Sequence, residues 1–180
     1  MIVTVSGEIG AGKSTVARRL ASSLSLRYVS AGEIFREEAR RRGLSLAALG
    51  ELAEHDPTID RDLDRMQVEA ARGGGVLIDS RLSGWLVDGD VRAWFRAPLQ
   101  VRAARVAARD GTSPEEAMRD LMAREDCERR RYRQTYQIDL ADLSRYHVIV
   151  DTARWSAQEI VDALLPLTRR FHHERLGRPS

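Results

Sequence analysis

Residues 1–15 read MIVTVSGEIGAGKST. The first five are apolar or β-branched, the pattern of a short buried strand. Gly7, Gly12, Lys13 and Ser14 then fall at the spacing G-x-x-x-x-G-K-[ST]. Beyond them Val16, Ala17, Leu20, Ala21 and Leu24 recur at helical intervals, with Arg18, Arg19 and Ser22 on the opposite face. A strand, a glycine-rich loop and a helix in this order form a phosphate-binding P-loop. The loop's glycines bring backbone N–H groups close to phosphate oxygens, and the helix dipole adds positive potential. Gly7, Glu8, Ile9, Gly10, Ala11, Gly12, Lys13, Ser14 and Thr15 are therefore the candidate ATP cradle, with the Ser14 hydroxyl offered to Mg2+.

Lys13 is the only lysine among 29 basic residues; every other one is arginine. A compact ammonium on a flexible stem reaches between the β- and γ-phosphates, where a planar guanidinium does not fit. The same count excludes an N-K-x-D guanine-reading motif, and with it a guanine-specific switch.

Outward from the loop, β-rich runs alternate with helical patterns: MIVTVS, RYVSA, GVLIDS, VRAWFR and YHVIVD. That alternation predicts an α/β fold, a P-loop NTPase-type parallel sheet of about five strands flanked by helices. From about 33 to 72 the chain is helical but strongly charged, broken only by RGLS and HDPTID, and is expected to form a flap over the site. A short lid region is expected at about 105–138. Within it Thr112 or Ser113 caps a helix that has Pro114 at its start and Glu115 and Glu116 in its first turn, ending near Tyr132. Residues 1–170 are expected to make one P-loop domain and 171–180 a frayed tail.

Basic and acidic residues nearly cancel at a net charge of +2, often alternating in sign, so bulk charge does not point to nucleic acid. A single cysteine, Cys127, forms no internal disulfide, and no run approaches the ~20 apolar residues of a membrane span. The start of the chain lacks a basic, then apolar, leader pattern. We therefore expect a cytoplasmic monomer acting on small molecules, without nucleic-acid or membrane partners.

Asp79 leaves the strand-like run Val76–Ile78 and is placed to hold magnesium through water. Transfer between two phosphate chains requires converging arginines. Ser30, Gly32 and Arg36 follow the second strand where an acceptor phosphate would meet a helix N-terminus, and Arg81 follows Asp79. Arg124, Glu128 and Arg131 share one helix face, whereas Arg129, Arg130 and Arg133 read as a solvated, salt-bridged surface.

Across these segments the chain resembles the cytidylate kinases, in the compact form found in archaea and some bacteria. The likeness runs through VSGEIGAGKSTVA, VSAGEIFREEARRRGLSLAAL, IDRDLDRMQ, SRLSGW, APLQVRAAR and REDCERRRYRQTYQIDLADLSRYHVIVDT. It implies ATP-dependent phosphorylation of CMP or dCMP by direct in-line transfer; Lys13, Arg81, Arg124 and Arg131 are the candidates for the transferring charge. It further implies Ser30, Gly32, Arg36 and Arg81 on the acceptor phosphate, Asp60, Arg61 and Asp64 near the pyrimidine, and Arg124, Glu128 and Arg131 on the closing lid side, with Glu128 among the acceptor-binding residues. Asp79 and Ser80 stand where the family pattern has Glu-Gly, and Cys127 where it has a small polar residue. Alternatives are a kinase for UMP, AMP or another metabolite, and a non-catalytic P-loop sensor. Trp85, Trp94 and Trp155 read as core or rim packing. His55, His147, His172 and His173 show no metal-ligand spacing, and Thr152 and Arg154 stand either near adenine or beside a helix cap made by Thr152 or Ser156.

Overall fold

A computed structural model describes residues 1–176. Five parallel strands form one sheet in the order β2-β3-β1-β4-β5: β1 (Ile2–Gly7), β2 (Arg27–Ser30), β3 (Val76–Asp79), β4 (Val91–Arg96) and β5 (Val148–Asp151). All five coincide with the β-rich runs of the sequence. Side chains alternate across the sheet because a strand repeats every two residues. Leu77 and Phe95 face α1 (Lys13–Ser23) and α8 (Ala157–Leu176), packing with Val16, Leu20, Val161 and Leu164. Val76 and Ile78 face the other way, against Ala71 and Val87.

Charge-rich residues after β2 fold as three helices, α2 (Ala31–Arg42), α3 (Leu46–His55) and α4 (Thr58–Arg72), around a small core of Ala39, Leu49, Ala53 and Ile59. Their charges are spent on exposed pairs such as Arg41–Glu38 and Arg42–Glu38. A short α5 (Ser83–Leu86) precedes β4, and α6 (Leu99–Asp110) follows it. α7 (Pro114–Tyr136) packs on α6 through Ala103, Val106, Ala117 and Leu121.

Ser113 caps α7: its Oγ accepts from the Glu116 N–H while the Glu116 carboxylate accepts from the Ser113 N–H. The helix runs one turn beyond the expected Tyr132, because Gln137 takes up a left-handed conformation (φ 57°) and donates its N–H to the Arg133 carbonyl. A stop signal without glycine is easily missed. α8 continues through Leu176, so 171–176 is helical rather than frayed; the rest of the expected tail, 177–180, lies outside the described residues. Among those described, no helix is long and apolar enough to cross a membrane.

Candidate active site

The parallel register brings β1 and β3 side by side, with Val5 opposite Asp79, so the loop leaving β1 lies next to the carboxylate ending β3. Gly7 packs so closely on β4 that a Cβ would lie 2.1 Å from the Phe95 carbonyl oxygen. Gly12, at φ 79°, turns the chain into α1. Two buried contacts brace the loop from outside. Arg102 on α6 donates to the Ala97 and Ile9 carbonyls and pairs with Glu125 at 2.7 Å and with Glu8 at 3.2 Å. Thr152, after β5, donates its hydroxyl to the Ala11 carbonyl at 2.8 Å and accepts from Arg105 at 2.9 Å.

Lys13 folds back over its own loop, donating to the carbonyls of Gly7 (3.0 Å) and Glu8 (2.7 Å). Loss of hydration lowers its ammonium pKa to about 8, with Arg81 adding to the effect and Asp79 opposing it. Ser14 donates to the Asp79 carboxylate at 2.6 Å, and the Tyr28 hydroxyl donates to the same oxygen at 2.8 Å. A hydroxyl and a carboxylate, both hard oxygen donors, suit magnesium, which keeps several waters and relies on substrate phosphates for the rest of its shell. No group of three or more His, Cys, Asp or Glu side chains forms a metal cage among the described residues.

A cavity of about 850 Å³ opens in front of the loop. Its lining draws on α6 and the start of α8 through Arg105, Arg109, Trp155, Ser156 and Ile160, and on α2, α3 and α4 through Phe35, Leu46, Asp60, Leu63, Asp64 and Gln67. Ser30, Gly32, Arg36, Arg81, Arg124, Glu128 and Arg131 line it as well. Ser30 caps α2 by accepting from the Glu33 N–H, so the N-terminus of that helix borders the cavity. Arg81 donates to Glu128 at 2.5 Å and to the Gly7 carbonyl, linking the loop to α7. Burial opposes ionisation of Glu128, yet Arg81, Arg124 and Arg131 around it hold its carboxyl below the usual range.

Arg131, on the cavity wall, is engaged by a neighbour on that wall. Its side chain, 5% exposed, pairs with Asp60 at 2.5 Å and donates to the Gly50 carbonyl at 3.2 Å, tying α7 to α4 and α3. Arg124 has a looser partner, Asp120 at 3.6 Å, and lines the cavity. Arg129, Arg130 and Arg133 are exposed and paired with Asp126, Glu54 and Asp139.

Arg61 is not brought into the cavity. Expected beside the pyrimidine, it is exposed on α4, because adjacent helical residues point about 100° apart and Asp60 takes the inner position. Gly7 and Glu8 also stand behind the cavity wall rather than on it, as bracing for Lys13. Arg154 is exposed and off the wall, while Ser156, not Thr152, caps α8 together with Glu159. Trp94 is buried against Tyr146; Trp155, 59% exposed, stands on the cavity rim. Cys127 lies against Gly50, and burial together with Glu54 pushes its thiol up to about 11. Ser80 accepts from the Leu82 N–H, making the turn after Asp79. Sequence reasoning gave no role to Tyr28, Arg102, Arg105 or Gln67, although the last three fall within segments that carry the family likeness; their partners come together only through the fold.

Such a cradle, with an acidic strand end against its serine and a second, arginine-lined compartment facing it, belongs to the P-loop kinases of small molecules. Two solved structures share the fold: shikimate kinase from Bacteroides thetaiotaomicron (TM-score 0.62, 14% identity, 94% of this chain and 98% of that one) and a gluconokinase from Sinorhizobium meliloti (TM-score 0.62, 16% identity, 97% and 94%). Sequence narrows the class, since residues 2–154 match the model of the cytidylate kinase-like family. The chain belongs to that family. The cytidylate kinase of Halobacterium salinarum is 44% identical across the whole of this chain and 95% of its own length. That of Pyrococcus abyssi is 46% identical across 89% of each.

Proposed function

We propose that the protein phosphorylates CMP and dCMP at the expense of ATP, giving CDP or dCDP and ADP. The observation that carries this reading is that one cavity is lined both by P-loop residues Ile9 to Thr15 and by residues of α2 and α4, with Arg81 and Arg124 on the same wall, in a chain of the cytidylate kinase-like family.

ATP phosphates would take the backbone N–H groups of residues 9–15, and Lys13 would swing from the Gly7 and Glu8 carbonyls to the β- and γ-phosphates. Ser14, and Asp79 through water, would hold magnesium, which neutralises phosphate charge when bound. The acceptor phosphate would sit at Ser30, Gly32 and the α2 N-terminus, held by Arg36 and Arg81. Transfer is in line: an acceptor phosphate oxygen forms a bond to the γ-phosphorus as the bond to the β,γ-bridging oxygen breaks, leaving on ADP. The nucleophile is already anionic at neutral pH, so no strong base is needed. Arg81 and Arg124 stabilise the charge on the moving group. Arg131 acts as a positioning residue, holding Asp60 and the flap. With soluble nucleotides as its substrates, the protein would work as a cytoplasmic monomer.

ADP release measured against CMP, dCMP, UMP and AMP tests the reading. CMP and dCMP should stimulate it most. ATP hydrolysis indifferent to every acceptor would favour a sensor, and a dominant response to UMP or AMP would reassign the acceptor.

A further inference from the structure

Resting on the CMP reading, the inference concerns how the flap side of the cavity selects a base. Asp60, Asp64 and Gln67 fall at i, i+4 and i+7 of α4 and all line the cavity, beside the apolar walls of Phe35, Leu46 and Leu63. A slot with apolar walls and a polar floor accepts a planar heterocycle.

The floor's donors are already spent. The Gln67 amide nitrogen donates to Asp64 at 3.0 Å and to the Leu63 carbonyl at 3.4 Å. The other Asp64 oxygen takes the Tyr136 hydroxyl, and Asp60 is paired with Arg131. Reversing the Gln67 amide would set its oxygen against a carboxylate and a carbonyl, so the chain from Tyr136 through Asp64 to Gln67 fixes its orientation. What remains is an acceptor: Gln67 is 2% exposed, and its Oε1 receives no hydrogen bond from any described residue. A buried acceptor without a donor is costly and calls for a partner.

We infer that Gln67 is the specificity-determining residue for the acceptor base, its Oε1 accepting from the exocyclic amino group of cytosine. Uracil presents a carbonyl oxygen at that position, setting acceptor against acceptor. Asp64 and Tyr136 are positioning residues that hold the amide the right way round.

The test is the ratio of kcat/KM for CMP to that for UMP, measured in the wild type, Gln67→Met and Tyr136→Phe, alongside thermal unfolding. Methionine keeps the length and packing of glutamine but offers no comparable acceptor. Gln67→Met should lower the ratio about tenfold to a hundredfold, mainly through a higher KM for CMP, with KM for ATP unchanged. Tyr136→Phe should lower it less, in the same direction. A folded Gln67→Met protein with the wild-type ratio overturns the inference; if that variant does not fold, an unchanged ratio in Tyr136→Phe overturns it. These results leave the CMP reading standing, whereas a wild type that does not use CMP sinks both.

Discussion

Replacing Arg131 by methionine separates positioning from catalysis. Methionine fills most of the volume of the aliphatic stem but abandons Asp60, whose side chain is 6% exposed. Removing one partner of a buried ion pair costs about 3–5 kcal/mol, chiefly because the other charge stays buried and unpaired. For a chain of 180 residues each kcal/mol moves the melting temperature about 2–4 °C, so the midpoint should fall by about 6–20 °C. The double variant Arg131→Met with Asp60→Leu should recover most of that loss, since no charge is stranded. Burial already raises the Asp60 carboxyl, with Arg131 opposing. Without Arg131 it rises further. A raised carboxyl contributes stability that is present at low pH and lost as pH climbs through its folded value. The deficit of Arg131→Met relative to wild type should therefore shrink as pH falls toward the unfolded carboxyl pKa of about 3.9. The assay is thermal and urea unfolding of nucleotide-free protein at neutral and acidic pH. Wild-type stability in Arg131→Met, accompanied by collapsed kcat, would refute the argument and return Arg131 to the acceptor phosphates.

Three further outcomes follow from the same geometry. Arg124→Ala should leave the melting temperature near wild type while lowering kcat by about tenfold to a thousandfold, the scale of losing one charge-stabilising donor; the exposed Arg130→Ala, which breaks only the surface pair with Glu54, should change neither, and equal losses in both would contradict the facing of α7. In the free enzyme kcat/KM for ATP should fall as pH rises through about 8, where Lys13 loses its proton. At saturating ATP the phosphates hold that proton, so kcat should persist to higher pH; identical profiles for the two parameters would show that Lys13 does not titrate there. Asp79→Asn keeps a partner for Ser14 and Tyr28 but removes the charge, so the magnesium concentration giving half-maximal activity should rise by about tenfold or more; an unchanged requirement would remove Asp79 from the magnesium site.

The sheet was legible because each strand is a β-rich run ending in a polar or glycine signal, and the P-loop because its spacing has one structural meaning. The inner face of α7 was legible too, since i, i+4, i+7 spacing brings Arg124, Glu128 and Arg131 to the cavity together. What that spacing did not carry is the engagement of Arg131 by Asp60, a contact between residues far apart in sequence. Arg61 misled because the local motif makes it look equivalent to Asp60, while helical rotation sends the two in different directions. Gln67 went unnoticed because neutral amides are common on helices; only its burial and its unmatched oxygen single it out. Arg102 likewise looks like one more arginine until the fold buries it behind the P-loop.

The central claim is that one cavity passes a phosphoryl group from ATP on the P-loop to a monophosphate on the flap. Following a label on the γ-phosphate of ATP tests it directly, with wild-type protein, magnesium and CMP, and products separated over time. The account predicts label in CDP, formed one-for-one with ADP, and loss of that transfer in Lys13→Ala and Lys13→Arg alike, because a guanidinium cannot take the ammonium's position. Label accumulating in inorganic phosphate at the same rate with or without CMP, or full transfer by Lys13→Arg, would contradict it.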